Sequence, residues 1–483
     1  FADGAAPMGR RPVTMKKWMC PAADFKMKNR TNIESTFSTK KVLFTNQALW
    51  ALILPLFFEQ LLTVLVGMAD SVMVAQVGEA AVSAVSLVDS VMILLINIFN
   101  AVATGGAVVA GQYLGSGDEE KANRAGKQMM QFMTIMAVAL MVLLYAGKNF
   151  LLQVVFGSIE ADVMYNCDVY LLIVAAAIPF IAIYSGGAAL YRSVGNSKIS
   201  MCISIIMNII NVSGNAIFIF GLHRGVEGVA IPTLLSRVAA AILMVLWLYK
   251  PKFSLNIRGM RWFHFEKDLI RKILYIGVPN GVENSMFQLG KILLLSLIAT
   301  FGTNAIAANA VSNSLAYFEC LPGMTLGLVT VTVVSRCVGA GDYPQAQYFA
   351  RRLMKYTYIS MWVTSVIMML LLPVMVDLYN LSAITSRYTE EIMVFHSVMA
   401  MIIWPAAFTL PNVFRAANDV RFTMIVGVIS MWVFRIICAF IFGKYMGMGV
   451  FGAWAAMVLD WIVRAVFFLG HYRRGKWKGR TLL

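Results

Sequence analysis

A carboxylate inside a long apolar run must either carry a proton or hold a cation, and Asp70 stands in such a run. No basic residue lies within four positions of it on either side. The run, residues 47–77, also contains Glu59, Gln60 and a proline at position 55. Asn211 and Asn215 are four residues apart, so they share one helical face. Their amides can ligate a cation or hydrogen-bond a carboxyl group. Asp70, Asn211 and Asn215 are the leading candidates for an ion site, and no metal is expected beyond Na⁺ at Asp70. The plainer reading of the same residues is a polar network tying helices together.

Other ionisable groups fall in equally apolar surroundings. Glu59 and Glu283 each follow a proline by four residues; with Gln60, Gln288 and Glu319 they are candidates to line a cavity that attracts a cationic ligand. Lys291 is expected to pair with Glu319 or Glu283. Together with Arg435, Asp460 and Arg464 it is assigned to a structural charge cluster, in which Asp460 and Arg464 are spaced to pair within one helix. His396 reads as a packed, hydrogen-bonded side chain. In the first half of the chain Glu59, Asp70 and Asp89 face only Arg237, an excess of about two acids, whereas the second half can neutralise itself.

Catalysis and nucleotide chemistry find no footing. The loops GSGD and GAGD lack both GxGxxG and a Walker lysine, and no Ser/His/Asp set or metal-ligand spacing is present. The six cysteines include no CxxC pair and read as reduced packing residues. The chain is thus expected not to be an enzyme, and to need no cofactor beyond a coupling ion.

The elements that position these residues are membrane spans. Of 483 residues, 59% are hydrophobic and only 13% charged, about half the charge of a soluble domain. Apolar segments fall near 46–76, 80–112, 122–147, 163–191, 198–221 and 228–249. Six more fall near 268–301, 304–338, 346–372, 386–414, 422–444 and 449–472. Of the 40 Lys and Arg, 32 collect on one side of this arrangement and four on the other. By the positive-inside rule both termini are cytoplasmic. The net charge of +16 is therefore a topology signal, with no nucleic-acid partner implied. The expected organisation is a disordered basic tail (1–45), a six-helix lobe (46–249), a basic inter-lobe loop (250–267), a second six-helix lobe (268–472) and a basic tail (473–483). The fold class is all-α and polytopic, with twelve transmembrane helices in two pseudo-symmetric lobes.

The lobes repeat at an offset near 224. Pro55 and Glu59 match Pro279 and Glu283; Gly78 matches Gly302; LGSGD (114–118) matches VGAGD (338–342); FIFGL (218–222) reappears as FIFGK (440–444). Six spans per half give both halves the same orientation, so their symmetry axis lies along the membrane normal. The acid at position 70 lacks a counterpart, since the offset lands on Leu294, and Asn211 lands on Arg435.

GMADSVMVAQVG, GQYLGSGDEEKA, YRSVGNSK and NIINVSGNAIFIFG, in this order and in duplicate, resemble the multidrug and toxic compound extrusion family over about residues 45–475. The resemblance implies an antiporter of the bacterial inner membrane. It would export organic cations and other amphipathic drugs against H⁺ or Na⁺ by alternating access, in the lipid bilayer and as a monomer. It also implies that Asp70 binds the coupling ion with Asn211 nearby. Asn215 stands where one proton-coupled branch has a second aspartate, and Phe287 and Trp404 where some members have C-lobe acids. The alternative within the wider superfamily is a lipid-linked saccharide flippase, which would need a cavity rich in cations for phosphate.

Overall fold

The computed structural model describes residues 42–155, 157, 160–250, 255–260, 264–379 and 381–480. The expected disordered tail lies almost wholly outside the described residues, as do parts of the inter-lobe loop and the last three positions. Among the described residues there is no strand. Among the same residues eleven helices are long and apolar enough to cross a membrane, and a bent pair, taken as one span, makes a twelfth.

In chain order the N lobe comprises α1 (Asn46–Ala75), α2 (Glu79–Gly115), α3 (Glu119–Ala146), α4, α5 (Ser197–Gly221) and α6 (Glu227–Leu248). The C lobe comprises α7 (Lys267–Ala299), α8 (Thr303–Gly339), α9 (Tyr343–Leu378), α10 (Ala383–Ala416), α11 (Val420–Tyr445) and α12 (Gly449–Arg474). α4 departs from the sequence expectation of one continuous span. It bends by 47° between Ala161–Ala175 and Ile178–Ser193. Pro179 opens the second half and has no N–H to continue the ladder across the join. Leu143, Leu370 and Val466 are largely exposed, and an apolar exterior of this kind suits a lipid-facing surface.

Local features repeat as faithfully as the helices. α5 ends in a π-helical turn at Ile217–Gly221, and its counterpart α11 ends in one at Ile441–Tyr445, each displaced by 224 positions. Gly115 of α2 lies so close to the Arg336 carbonyl of α8 that a Cβ would collide with it. Gly339, its repeat mate, stands in the same relation to the Gln112 carbonyl. Position 112 is in turn the repeat mate of 336, so the two helices cross reciprocally about the pseudo-symmetry axis. Small residues are what permit such close packing where water supplies no driving force between helices.

The polar contacts joining the lobes gather at this same basic end. Gln112 Nε2 donates to Ala416 O at 2.9 Å and Asn418 Oδ1 at 2.8 Å, and Lys272 Nζ donates to the Tyr113 hydroxyl at 2.9 Å.

Candidate ion and substrate sites

Asp70 lies 24 residues along α1, about 36 Å from its basic start at about 1.5 Å per residue. It is half-buried and accepts from Asn215 Nδ2 at 2.8 Å. Asn215 is fully buried in α5, and its own Oδ1 has no hydrogen-bond partner. A buried acceptor left unpaired costs free energy unless a proton donor or a cation reaches it. One turn earlier, Asn211 Nδ2 donates to Thr233 Oγ1 of α6 at 3.1 Å. The structure therefore brings Asp70 and Asn215 into direct contact, while Asn211 ties α5 to α6.

Two neighbours complete the electrostatics. Asp89 of α2 accepts from the Tyr170 hydroxyl of α4 at 3.2 Å. Arg237 of α6 is close enough to act on both Asp70 and Asp89, and its Nη1 contacts Met207 Sδ at 3.1 Å. Two acids thus face one cation. The sequence tally of two excess acids falls to one, because Glu59 is satisfied elsewhere. Asp89 was visible in the sequence as an acid in an apolar span; Tyr170 and Thr233 carried no comparable signal.

Glu59 is buried near the basic end, held by Ser200 Oγ at 2.7 Å, the Tyr184 hydroxyl at 3.1 Å and Arg192 Nη1 at 4.0 Å. Its repeat mate Glu283 accepts from Arg415 Nη2 at 2.7 Å, with Arg464 Nη1 at 3.9 Å. Arg192 and Arg415 occupy matching places in YRSVGN and FRAAND, so the repeat preserves a Glu–Arg pair in each lobe. Glu319 is enclosed by Ser365, by His396 Nδ1 at 3.1 Å and by Ser397 Oγ at 2.9 Å. All three glutamates, expected to line a cavity, are buried and paired within the lobes in this conformation. Gln60 and Gln288 are half-buried, and their side chains have no partner among the described residues.

The C-lobe cluster forms in part. Arg464 Nε meets Asp460 Oδ1 at 2.8 Å, and Arg435 Nη1 stands 3.9 Å from Asp460 Oδ2. Lys291 pairs with neither Glu319 nor Glu283, contrary to expectation. Eight residues separate it from Glu283, about 12 Å along α7, and both acids are already taken. Lys291 instead lines a cavity with Arg435, Asn309, Asn313 and Trp454. His396 is buried against Glu319 and the rings of Trp454 and Trp461, in keeping with its packed reading.

Two repeats of six spans around a normal axis, with polar sites inside each lobe, define a two-lobed secondary-transporter architecture. A family model described as MatE matches residues 55–217 and again 279–441, the same 224-residue displacement. The chain belongs to this multidrug and toxic compound extrusion family, a class of membrane efflux transporters.

It is similar to the uncharacterized transporter YisQ of Bacillus subtilis, at 27% identity over 89% of this chain and 94% of the relative. It is also similar to the probable multidrug resistance protein NorM of Thermotoga maritima, at 24% identity over 89% and 93%. A solved structure described as the outward-facing conformation of a multidrug resistance MATE family transporter superposes with a TM-score of 0.83. That likeness covers 90% of this chain and 96% of the other at 20% identity, and it concerns the fold. The flippase alternative gains no support from these relatives.

Proposed function

We propose that this chain is an ion-gradient-driven antiporter that exports organic cations and other amphipathic compounds by alternating access. The observation that carries the reading is the Asp70–Asn215 contact, in which a half-buried carboxylate accepts from a fully buried amide whose own oxygen lacks a partner. Once the Asn215 amide turns its oxygen toward Asp70, a proton on the carboxyl group gives that oxygen a donor, or Na⁺ bridges the two oxygens. Either ion changes the charge of an N lobe that holds one uncompensated acid. A cationic drug and the coupling ion then compete for the same negative charge, which is what exchange requires. Release of the drug accompanies bending of α1 near Pro55, where the missing N–H weakens the helix.

The membrane is the bacterial inner membrane, with the basic end and both termini cytoplasmic. The contacts joining the lobes at that end then make this conformation one closed to the cytoplasm. The chain works as a monomer, without a cofactor and without nucleic acid.

The test is ethidium efflux from energised vesicles under separately imposed proton and sodium gradients. Efflux driven by the proton gradient alone makes Asp70 the proton carrier, with Asn211 and Asn215 as its hydrogen-bonding shell. Dependence on sodium makes the same three residues ligands. Absence of efflux under both gradients refutes the antiporter reading.

A further inference from the structure

The repeat carries the ion site of the N lobe onto a pocket of opposite charge. Displacement by 224 takes Asp70 to Leu294, Asp89 to Asn313, Asn211 to Arg435 and Thr233 to Met457. All four C-lobe residues line one cavity of about 290 Å³, which Lys291, Asn309 and Trp454 also face. Two cations and no carboxylate stand among the lining residues. The place in the fold is kept while the charge is inverted.

Neither cation is well compensated. Among the described residues Lys291 makes no ion pair or hydrogen bond. Its Nζ lies 5.2 Å from the Phe287 ring centre, and the charged group acting on it is Arg435, of like sign. Arg435 Nη1 stands 3.9 Å from Asp460 Oδ2, beyond hydrogen-bond distance, while Arg464 and Ser430 both engage Oδ1. The Nε of Arg435 is buried without any acceptor. Asn309 Oδ1 already receives Trp454 Nε1 and Asn313 Nδ2, both at 3.1 Å, so what Asn309 has left to offer is its N–H donors. A buried guanidinium whose Nε lacks an acceptor is costly, and an anion held between it and the exposed Lys291 ammonium supplies one.

The geometry points to an anion-binding site in the C lobe. An acidic head group (carboxylate, sulfonate or phosphate) sits between Lys291 and Arg435, and the apolar body of the same molecule lies on Leu294, Ile298, Met457 and the Trp454 ring. The ligand is therefore an anionic or zwitterionic amphiphile, either a free solute or a lipid whose head group enters the cavity. This widens the substrate class of the proposed exporter, yet it stands whether or not Asp70 couples transport to an ion.

The test uses the purified full chain in phosphatidylcholine nanodiscs and two matched probes, dansylglycine and its neutral amide dansylglycinamide, with empty discs subtracted. The carboxylate is expected to bind at least about tenfold more tightly than the amide, the worth of a charge-assisted hydrogen bond. Lys291→Met is expected to erase the preference and Lys291→Arg to retain it. If Lys291→Met does not yield monodisperse protein, Arg435→Gln is read in its place. Equal affinities for the two probes, or a preference that survives the loss of either cation, overturn the proposal.

Repeating the titration in phosphatidylglycerol discs distinguishes the sources. A lipid head group filling the site weakens dansylglycine binding in the parent chain but not in Lys291→Met; a site for free solutes binds dansylglycine equally in both discs. Binding is read without any gradient, so failure of ion-coupled efflux leaves this result independent.

Discussion

Where the N lobe holds Asp70, Asp89 and Asn211, the C lobe holds Leu294, Asn313 and Arg435 at the same places in the repeat. Elsewhere the lobes agree closely. Both have a proline one turn before a buried glutamate, an arginine from the last turn of the fourth span facing that glutamate, a close-packed glycine at the pseudo-symmetry axis, and a π-helical turn closing the fifth span. Duplication therefore preserved what builds a lobe and changed what fills it. The lesson concerns how to separate scaffold from site in a repeated transporter: agreement between halves marks packing, and disagreement in charge marks binding.

The comparison can be broken first at the matched glutamates. Glu283 sits between two guanidinium groups and is the one carboxylate Arg415 pairs with among the described residues, so Glu283→Gln strands that cation and is expected to cost about 3–5 kcal/mol. Glu59 has one arginine at 4.0 Å and two hydroxyl donors, so Glu59→Gln is expected to cost less, about 1–3 kcal/mol. Thermal unfolding of the two variants in detergent checks the order. Equal losses would mean that the added Arg464 contact in the C lobe is energetically silent.

The seam between the lobes comes next. Gly339→Leu inserts a side chain against the Gln112 backbone, and overpacking of this kind costs about 1–3 kcal/mol. It should wedge the basic ends apart. A cysteine at position 112, buried in the parent arrangement, should then react faster with a thiol reagent, with the site of modification mapped by mass spectrometry. Gly115→Leu is expected to act equally, because the crossing is reciprocal; a large difference between the two would show the pseudo-symmetry to be only approximate at the seam.

The smallest effect belongs to a C-lobe feature. Arg480 pairs with Asp419 at 2.9 Å, but it is half exposed, and Asp419 also holds His471 Nε2 at 2.6 Å. Arg480→Ala should change stability by less than about 1 kcal/mol. A larger shift in the melting curve would make the C-terminal segment an integral part of the lobe junction.

Much of this arrangement was legible in the sequence, for identifiable reasons. Prolines, glycines and acids in apolar helices are rare enough that their recurrence at one offset reveals a repeat, and a lone Asp70 in a long apolar run announces itself by cost. That Asn211 and Asn215 share a face followed from helical spacing; that this face meets Asp70 was implied by the family resemblance. Partners that arrive from other helices were hidden. Arg192 reads as a loop residue, so Glu59 was counted as uncompensated. Glu319 seemed to want Lys291, but Ser365, His396 and Ser397 converge on it from two other helices, and sequence spacing within α7 or α8 cannot show that. The cationic cavity was written in the repeat as Arg435 opposite Asn211, yet only the packing of α7, α8, α11 and α12 reveals that Lys291 joins it.

The central claim is that the N lobe transports because Asp70 exchanges an ion for a drug, and ethidium efflux by Asp70→Asn in energised cells tests it most directly. Surface expression and the melting curve of the purified variant serve as controls for folding. The account predicts a normally folded protein whose efflux falls to the level of cells lacking the transporter. Efflux at the parent rate from Asp70→Asn would contradict it, and would reduce the Asp70–Asn215 contact to a polar tie between two helices.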